Sequence, residues 1–166
     1  MGLDDTTVIL RLLVAFGLGF VLGLERELRG QHAGLRTHIL VCLGACLFTL
    51  CSVFVALPLV SDTTHEARAD IGRIASQIVV GISFLGGGAI LRHDTQIKGL
   101  TTAANLWLTA SVGLSAGLGF TVAAVFTVGL ALVTLVTLRF LEKPIIRLRQ
   151  RFGLHGEDDR PGQPPH

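Results

Sequence analysis

Five apolar runs, each close in length to the thickness of a bilayer's hydrocarbon core, govern what this chain can fold into. A helix needs roughly 20 mostly apolar residues to cross a membrane. Such runs extend from about Val8 to Leu24, Thr37 to Val60, Ile71 to Leu91, Leu100 to Gly117 and Phe120 to Leu138. The last two are too long together for one crossing, and Gly117-Leu118-Gly119 supplies a tight turn between them. The expected fold class is all-α, a polytopic membrane bundle of about five transmembrane helices. Composition agrees: of 166 residues, 50% are hydrophobic and only 16% charged, where a soluble domain carries about a quarter. Mean hydropathy is +0.63. These values exclude a disordered tail, a basic nucleic-acid-binding domain and most soluble enzymes.

Two regions are expected: a transmembrane domain over 1–138, and a cytoplasmic remainder over 139–166. In the remainder, Pro144 to Leu154 reads as a short basic amphipathic helix with Ile145, Ile146, Leu148 and Phe152 on its apolar side. Gly156 to His166 is acidic and proline-rich and reads as disordered. The chain opens with Asp4 and Asp5 rather than the positive region of a secretory signal, so the first run is expected to be a retained helix. Basic residues set the orientation. Arg26, Arg29 and Arg36 lie between runs one and two, Arg92 and Lys98 between three and four, and six more follow Leu138. Eleven of the 14 lysines and arginines therefore fall on one side. Only Arg11, Arg68 and Arg73 fall on the other. The N-terminus is expected outside and the C-terminus in the cytoplasm.

The three cysteines, Cys42, Cys46 and Cys51, share one apolar run. They read as small packing residues rather than a disulfide framework or metal pair. Glycines recur four apart at Gly19 and Gly23 and at Gly113 and Gly117. That spacing suits helix contact, within the chain or in a homo-oligomer.

Three groups of polar residues are candidates for function. Glu25, Arg26, Glu27 and Arg29 end the first run, with Glu25 and Arg29 on one helix face, and lead to Arg36 and Thr37. Alone, this group reads first as a solvated helix end. Arg92 and Lys98 lead to Thr101, Thr102, Asn105 and Trp107. The threonines suit a helix cap, whereas Asn105 lies one turn deeper and needs a protein or water partner. Asp70, Arg73 and Gln77 open the third run, and Gly86-Gly87-Gly88 lie near its end. Gln77 is expected to bond another helix. Arg11 is expected to pair with Asp70 or to extend to the surface.

The stretches GLERELRGQHAGLRTHILVCLGA, DIGRIASQIVVGISFLGGGAIL and IKGLTTAANLWLTASVGLSAGLG, in this order, resemble the MgtC/SapB family of bacterial inner-membrane proteins. The resemblance covers most of Leu12 to Gly119. It implies that Glu25 to Glu27, Gly34 to Thr37, Asp70, Arg73, Gln77, Gly86, Gly88, Gly99 to Ala103 and Trp107 are family motif positions. Ser83 departs from the family's usual glycine. Some members carry a C-terminal domain resembling an ACT fold. The 28 residues after Leu138 are too few for it, so a short form is expected. The resemblance implies a role in adaptation to low magnesium or to stress.

Three functions compete. The first is a non-enzymatic regulator that binds another membrane protein or a lipid through the basic face of Arg26, Arg29, Arg36, Arg92 and Lys98. The second is a magnesium channel or transporter. Magnesium needs oxygen ligands, yet Glu25 and Asp70 sit only at run ends and the inner mouth is basic. The third is an intramembrane enzyme using Ser83. Its nearest histidines, His38 and His93, lie at run ends, and no GxSxG, HExxH or P-loop lysine motif is present. The regulator leads, and no enzyme activity, cofactor or nucleic-acid partner is expected. The expected partners are the lipid bilayer and another membrane protein, with Mg2+ as a sensed or transported ion.

Overall fold

A computed structural model describes residues 4–56, 65–93 and 96–151, with side chains described for 4–55, 76–90 and 97–137. The five apolar runs become five helices: α1 (Asp5–Leu28), α2 (Leu35–Ala56), α3 (His65–Ala89), α4 (Leu100–Leu118) and α5 (Thr121–Arg151). A short antiparallel hairpin, β1 (Leu91–His93) and β2 (Gln96–Lys98), joins α3 to α4 and sets Arg92 opposite Ile97. The chain divides into two compact units, Met1–Gly129 and Leu130–His166. The packing described below is within the first, and the second holds the remainder of α5.

The 24 residues of α1 rise about 36 Å at about 1.5 Å each, against a hydrocarbon core of about 30 Å. Both α1 and Leu35–Val55 of α2 are long and apolar enough to cross a bilayer, each with a hydropathy of 2.3. Ser76–Ala89 of α3 and Thr121–Thr137 of α5 are shorter apolar stretches. Leu13, Phe16, Phe48, Phe54, Phe84 and Val122 stand exposed. In water such a surface would drive aggregation, whereas in lipid it is the solvated side.

Within the first unit α2 is central and packs on α1, α3 and α4. Lipid gives no hydrophobic drive to helix association, so close packing of small residues must supply it. Both glycine pairs do so inside the chain. A Cβ on Gly19 would lie 2.9 Å from Cys42 Cβ, and one on Gly23 would lie 2.8 Å from Leu35 Cα. A Cβ on Gly113 would collide with the Cys42 carbonyl oxygen, and one on Gly117 would lie 2.8 Å from that of Cys46. One stripe of α2 is thus clasped between α1 and α4. Cys42 and Cys46 are fully buried there as packing residues.

At the opposite end from the charged motifs, Gly119 takes a left-handed conformation (φ 88°) and closes α4, and α5 starts two residues later. Arg11 Nη1 donates to the Gly117 carbonyl oxygen at 2.7 Å. The expected pairing with Asp70 falls on a side chain outside the described residues; among the described residues Arg11 is held by this carbonyl. It caps the carbonyl end of α4, where a cation is favoured.

One expectation needs correction. The fifth helix does not stop at Leu138 with a separate amphipathic helix from Pro144. It runs unbroken to Arg151, because the end of an apolar run limits membrane burial and not backbone hydrogen bonding. Residues 152–154 of the expected amphipathic segment, and Gly156 to His166, lie outside the described residues.

Candidate functional site

Because successive helices alternate in direction, the C-termini of α1 and α3 share one end of the bundle with the N-termini of α2 and α4 and the hairpin. This end gathers Glu25 to Arg29, Arg36, Thr37, Lys98 and Thr101 to Asn105.

The last turn of α1 is not a simply solvated charge cluster. Arg26 is 4% exposed, and its Nη2 donates to Gln31 Oε1 at 2.8 Å. The Gln31 backbone N–H donates back to the Arg26 carbonyl oxygen at 3.1 Å. Glu25 forms an ion pair with Arg29 one turn on, and Arg26 Nη1 lies 3.8 Å from its Oε2. Both Glu25 oxygens are shielded from solvent and lack an aligned hydrogen-bond donor, so charge rather than hydrogen bonding holds this carboxylate.

Glu27 has a different task. Its Oε2 accepts a hydrogen bond from the Leu35 backbone N–H at 2.9 Å. A carboxylate from α1 therefore caps the first turn of α2, satisfying a donor that helix geometry leaves free and complementing the helix dipole. A Cβ on Gly34 would collide with this carboxylate oxygen. Glycine at 34 is what lets Glu27 reach the cap.

Deeper in the bundle, His38 is fully buried. Its Nδ1 lies 2.8 Å from the Gly34 carbonyl oxygen and its Nε2 lies 3.0 Å from Asn105 Nδ2. A carbonyl only accepts, so Nδ1 carries the proton, and Nε2 accepts from the Asn105 amide. This is the neutral imidazole with both nitrogens satisfied. Asn105 is 5% exposed, and this bond meets its expected need for a partner. Below it, Thr109 donates to the Asn105 carbonyl oxygen at 2.8 Å and Thr49 to that of Ala45 at 2.7 Å.

The N-terminus of α4 differs from the expected threonine cap. Gly99 is the N-cap, left-handed at φ 90°, with no side-chain capping bond. A Cβ there would collide with the Ala89 carbonyl oxygen. Thr101 is exposed, whereas Thr102 is 3% exposed and lines a cavity of about 370 Å³ with His32, Ala33, Thr37, Phe84 and Leu106. Thr102 makes no hydrogen bond among the described residues. Arg36 and Lys98 are exposed at the same end. Trp107 points outward, 49% exposed.

Gln77 is exposed on α3 and makes no hydrogen bond among the described residues, contrary to the expected bond to another helix. The side chains of Asp70, Arg73 and Arg92 lie outside the described residues, although their backbones belong to α3 and β1. Ser83 Oγ donates to the Val79 carbonyl oxygen of its own helix at 2.8 Å. Among the described residues no group of three or more His, Cys, Asp or Glu side chains is placed to hold a metal ion.

His38 was absent from the sequence-derived site. A signal for it exists: His38, Cys42, Ala45, Thr49 and Ser52 recur at helical spacing as the small and polar stripe of an otherwise apolar helix. All five are buried.

A lipid-facing exterior around a clasped core, with charged and polar side chains gathered at one end, defines a polytopic membrane helix protein. The chain belongs to the MgtC family, whose model matches residues 12–144. It is similar to an uncharacterized protein of Synechocystis sp., 49% identical over 104 residues that make up 63% of this chain and 40% of that one. It is 41% identical to YhiD of Escherichia coli (strain K12), named as a candidate magnesium transporter, over 63% of this chain and 47% of that protein. It is 45% identical to MgtC of Salmonella typhimurium, over 63% and 40%. The chain thus matches less than half the length of these curated relatives. No solved structure matches it.

Proposed function

We propose that the chain is a non-enzymatic regulator in bacterial magnesium homeostasis or stress adaptation, acting in the inner membrane by binding another membrane protein. The carrying observation is how the polar groups at the charged end are engaged. Glu27 caps α2, Glu25 pairs with Arg29, Arg26 bonds Gln31, and Asn105 bonds His38. Among the described residues these partners leave no cluster of oxygen ligands for a divalent cation, which sheds water reluctantly. Arg36 and Lys98 remain exposed beside them, a charge pattern that suits an acidic partner surface. The excess of basic residues at this end supports a cytoplasmic placement, with the N-terminus outside.

Magnesium transport is the second reading, favoured by the name of the Escherichia coli relative and by the polar stripe inside α2. The two separate in one experiment: purified chain in liposomes that enclose a magnesium-sensitive dye. The regulator reading expects flux no higher than in empty liposomes. Flux that disappears with Asn105→Ala would replace it with transport. In cells, Arg36→Ala is expected to abolish complementation at unchanged membrane levels. Full complementation by that variant counts against partner binding at this face.

A further inference from the structure

We propose that the trough between α2, α3 and α4 binds one anionic phospholipid, its phosphate in the cavity at the N-terminus of α4 and one acyl chain in the groove that continues from it. This adds a ligand to the binding reading above and does not depend on whether the chain regulates or conducts.

The trough has two parts that meet at Leu85. The first is the cavity of about 370 Å³ beside Thr37 and Thr102. The second is a groove of about 430 Å³ further along the same helices, walled by Leu40, Val41 and Phe48 of α2 and by Ile78 and Ile82 of α3. Leu85 lines both. The groove exists because Gly44 and Gly81 lack side chains where the helices separate. A Cβ on either meets no atom within 4 Å. Thr37 to Phe48 spans eleven residues, or about 16 Å at helical rise. That is the depth of one leaflet, half of a hydrocarbon core of about 30 Å.

The head end carries the features an anion requires. The first-turn N–H groups of α4 have no capping side chain, and such groups attract phosphate. Thr102 is buried as a residue, lines the cavity and makes no hydrogen bond among the described residues, whereas Thr49, Thr109 and Ser83 each bond a carbonyl of their own helix. Thr37 adds a second hydroxyl to the cavity wall. The exposed Arg36 and Lys98 set positive charge at this end. Basic pockets between helices on the cytoplasmic side are where anionic headgroups bind. An apolar helix of a partner would fill the groove but leave these head-end donors unmet.

The test is native mass spectrometry of the purified full chain from micelles holding equal phosphatidylglycerol and phosphatidylcholine with identical acyl chains. One phosphatidylglycerol is expected to be retained about thirtyfold over phosphatidylcholine, given two basic residues near the head at about 1 kcal/mol each. Thr102→Val is expected to reduce that preference. Gly81→Phe and Gly44→Phe are expected to reduce retention of both lipids, with helix content unchanged by circular dichroism. Equal retention of the two lipids by the wild-type chain, or full retention by both glycine variants, overturns the proposal. Displacement of the lipid by millimolar inorganic phosphate in wild type and Gly81→Phe alike also overturns it, in favour of a free-anion site. A dimer lost in Gly44→Phe overturns it in favour of a second copy in the groove. Because lipid retention is read without any flux or complementation assay, this proposal and the regulator reading fail separately.

Discussion

At the scale of residues, two contacts explain why particular side chains stand where they do. Glu27 and Gly34 act as a unit, the carboxylate capping Leu35 and the glycine leaving it room. Glu27→Ala is expected to cost about 1 kcal/mol, the usual value of an N-terminal cap. Glu27→Gln should keep most of it, because an amide oxygen accepts the same bond. Thermal unfolding in detergent measures both, and equal loss in the two variants would show that the charge rather than the bond matters. The second contact is His38 with Asn105. Asn105→Leu strands a buried ring nitrogen and is expected to cost about 1–3 kcal/mol. A double-mutant cycle with His38→Phe should return a coupling of about 0.6–1.7 kcal/mol, the range of hydrogen bonds between membrane helices. Strictly additive losses would mean that the two side chains do not meet.

At the scale of elements, the glycines divide into two kinds. Gly19, Gly23, Gly113 and Gly117 lie against a facing helix, so a methyl group there forces helices apart. Each Gly→Ala change at these positions is expected to cost about 1–3 kcal/mol by overpacking. Gly17 faces open space, and Gly17→Ala should be neutral or stabilising by up to about 1 kcal/mol, because glycine is a poor helix former. A ranking by unfolding temperature checks this, and indistinguishable variants would remove the clasp around α2. The contrast also measures what was legible. The four-residue spacing announced helix contact, but spacing alone names no partner, and α2 receives both pairs. The helices were legible because their apolar runs are long. The hairpin was not, because strands of three residues with Arg92, His93 and Lys98 among them show no alternating apolar pattern. The His38–Asn105 bond joins residues 67 apart in sequence, so no local pattern carries it. Its helical stripe of small and polar residues showed only that His38 faces protein.

At the scale of the whole molecule, the orientation in the membrane links the charged end to its surroundings. The first two helices are joined by a short loop flanked by Arg26, Arg29 and Arg36, and basic loops this short dominate topology. If that end faces the cytoplasm, Arg36 and Lys98 meet the leaflet that holds anionic lipid, and a partner reaches them from inside the cell. If it faces outward, the lipid proposed above would come from a leaflet poor in such headgroups. Single cysteines placed at Asp5 and Arg36, with Cys51 replaced by alanine because it is exposed, distinguish the two. A membrane-impermeant maleimide applied to intact cells with permeable outer layers is expected to label Asp5→Cys and to leave Arg36→Cys unlabelled until the inner membrane is opened. The reverse pattern would invert the bundle and set the exposed arginine and lysine toward the cell exterior. The buried contacts would survive that inversion unchanged, since the Arg11 cap, the glycine clasp and the His38–Asn105 bond depend only on how the helices face one another. Labelling thus tests the placement of the molecule without disturbing the packing that holds it together.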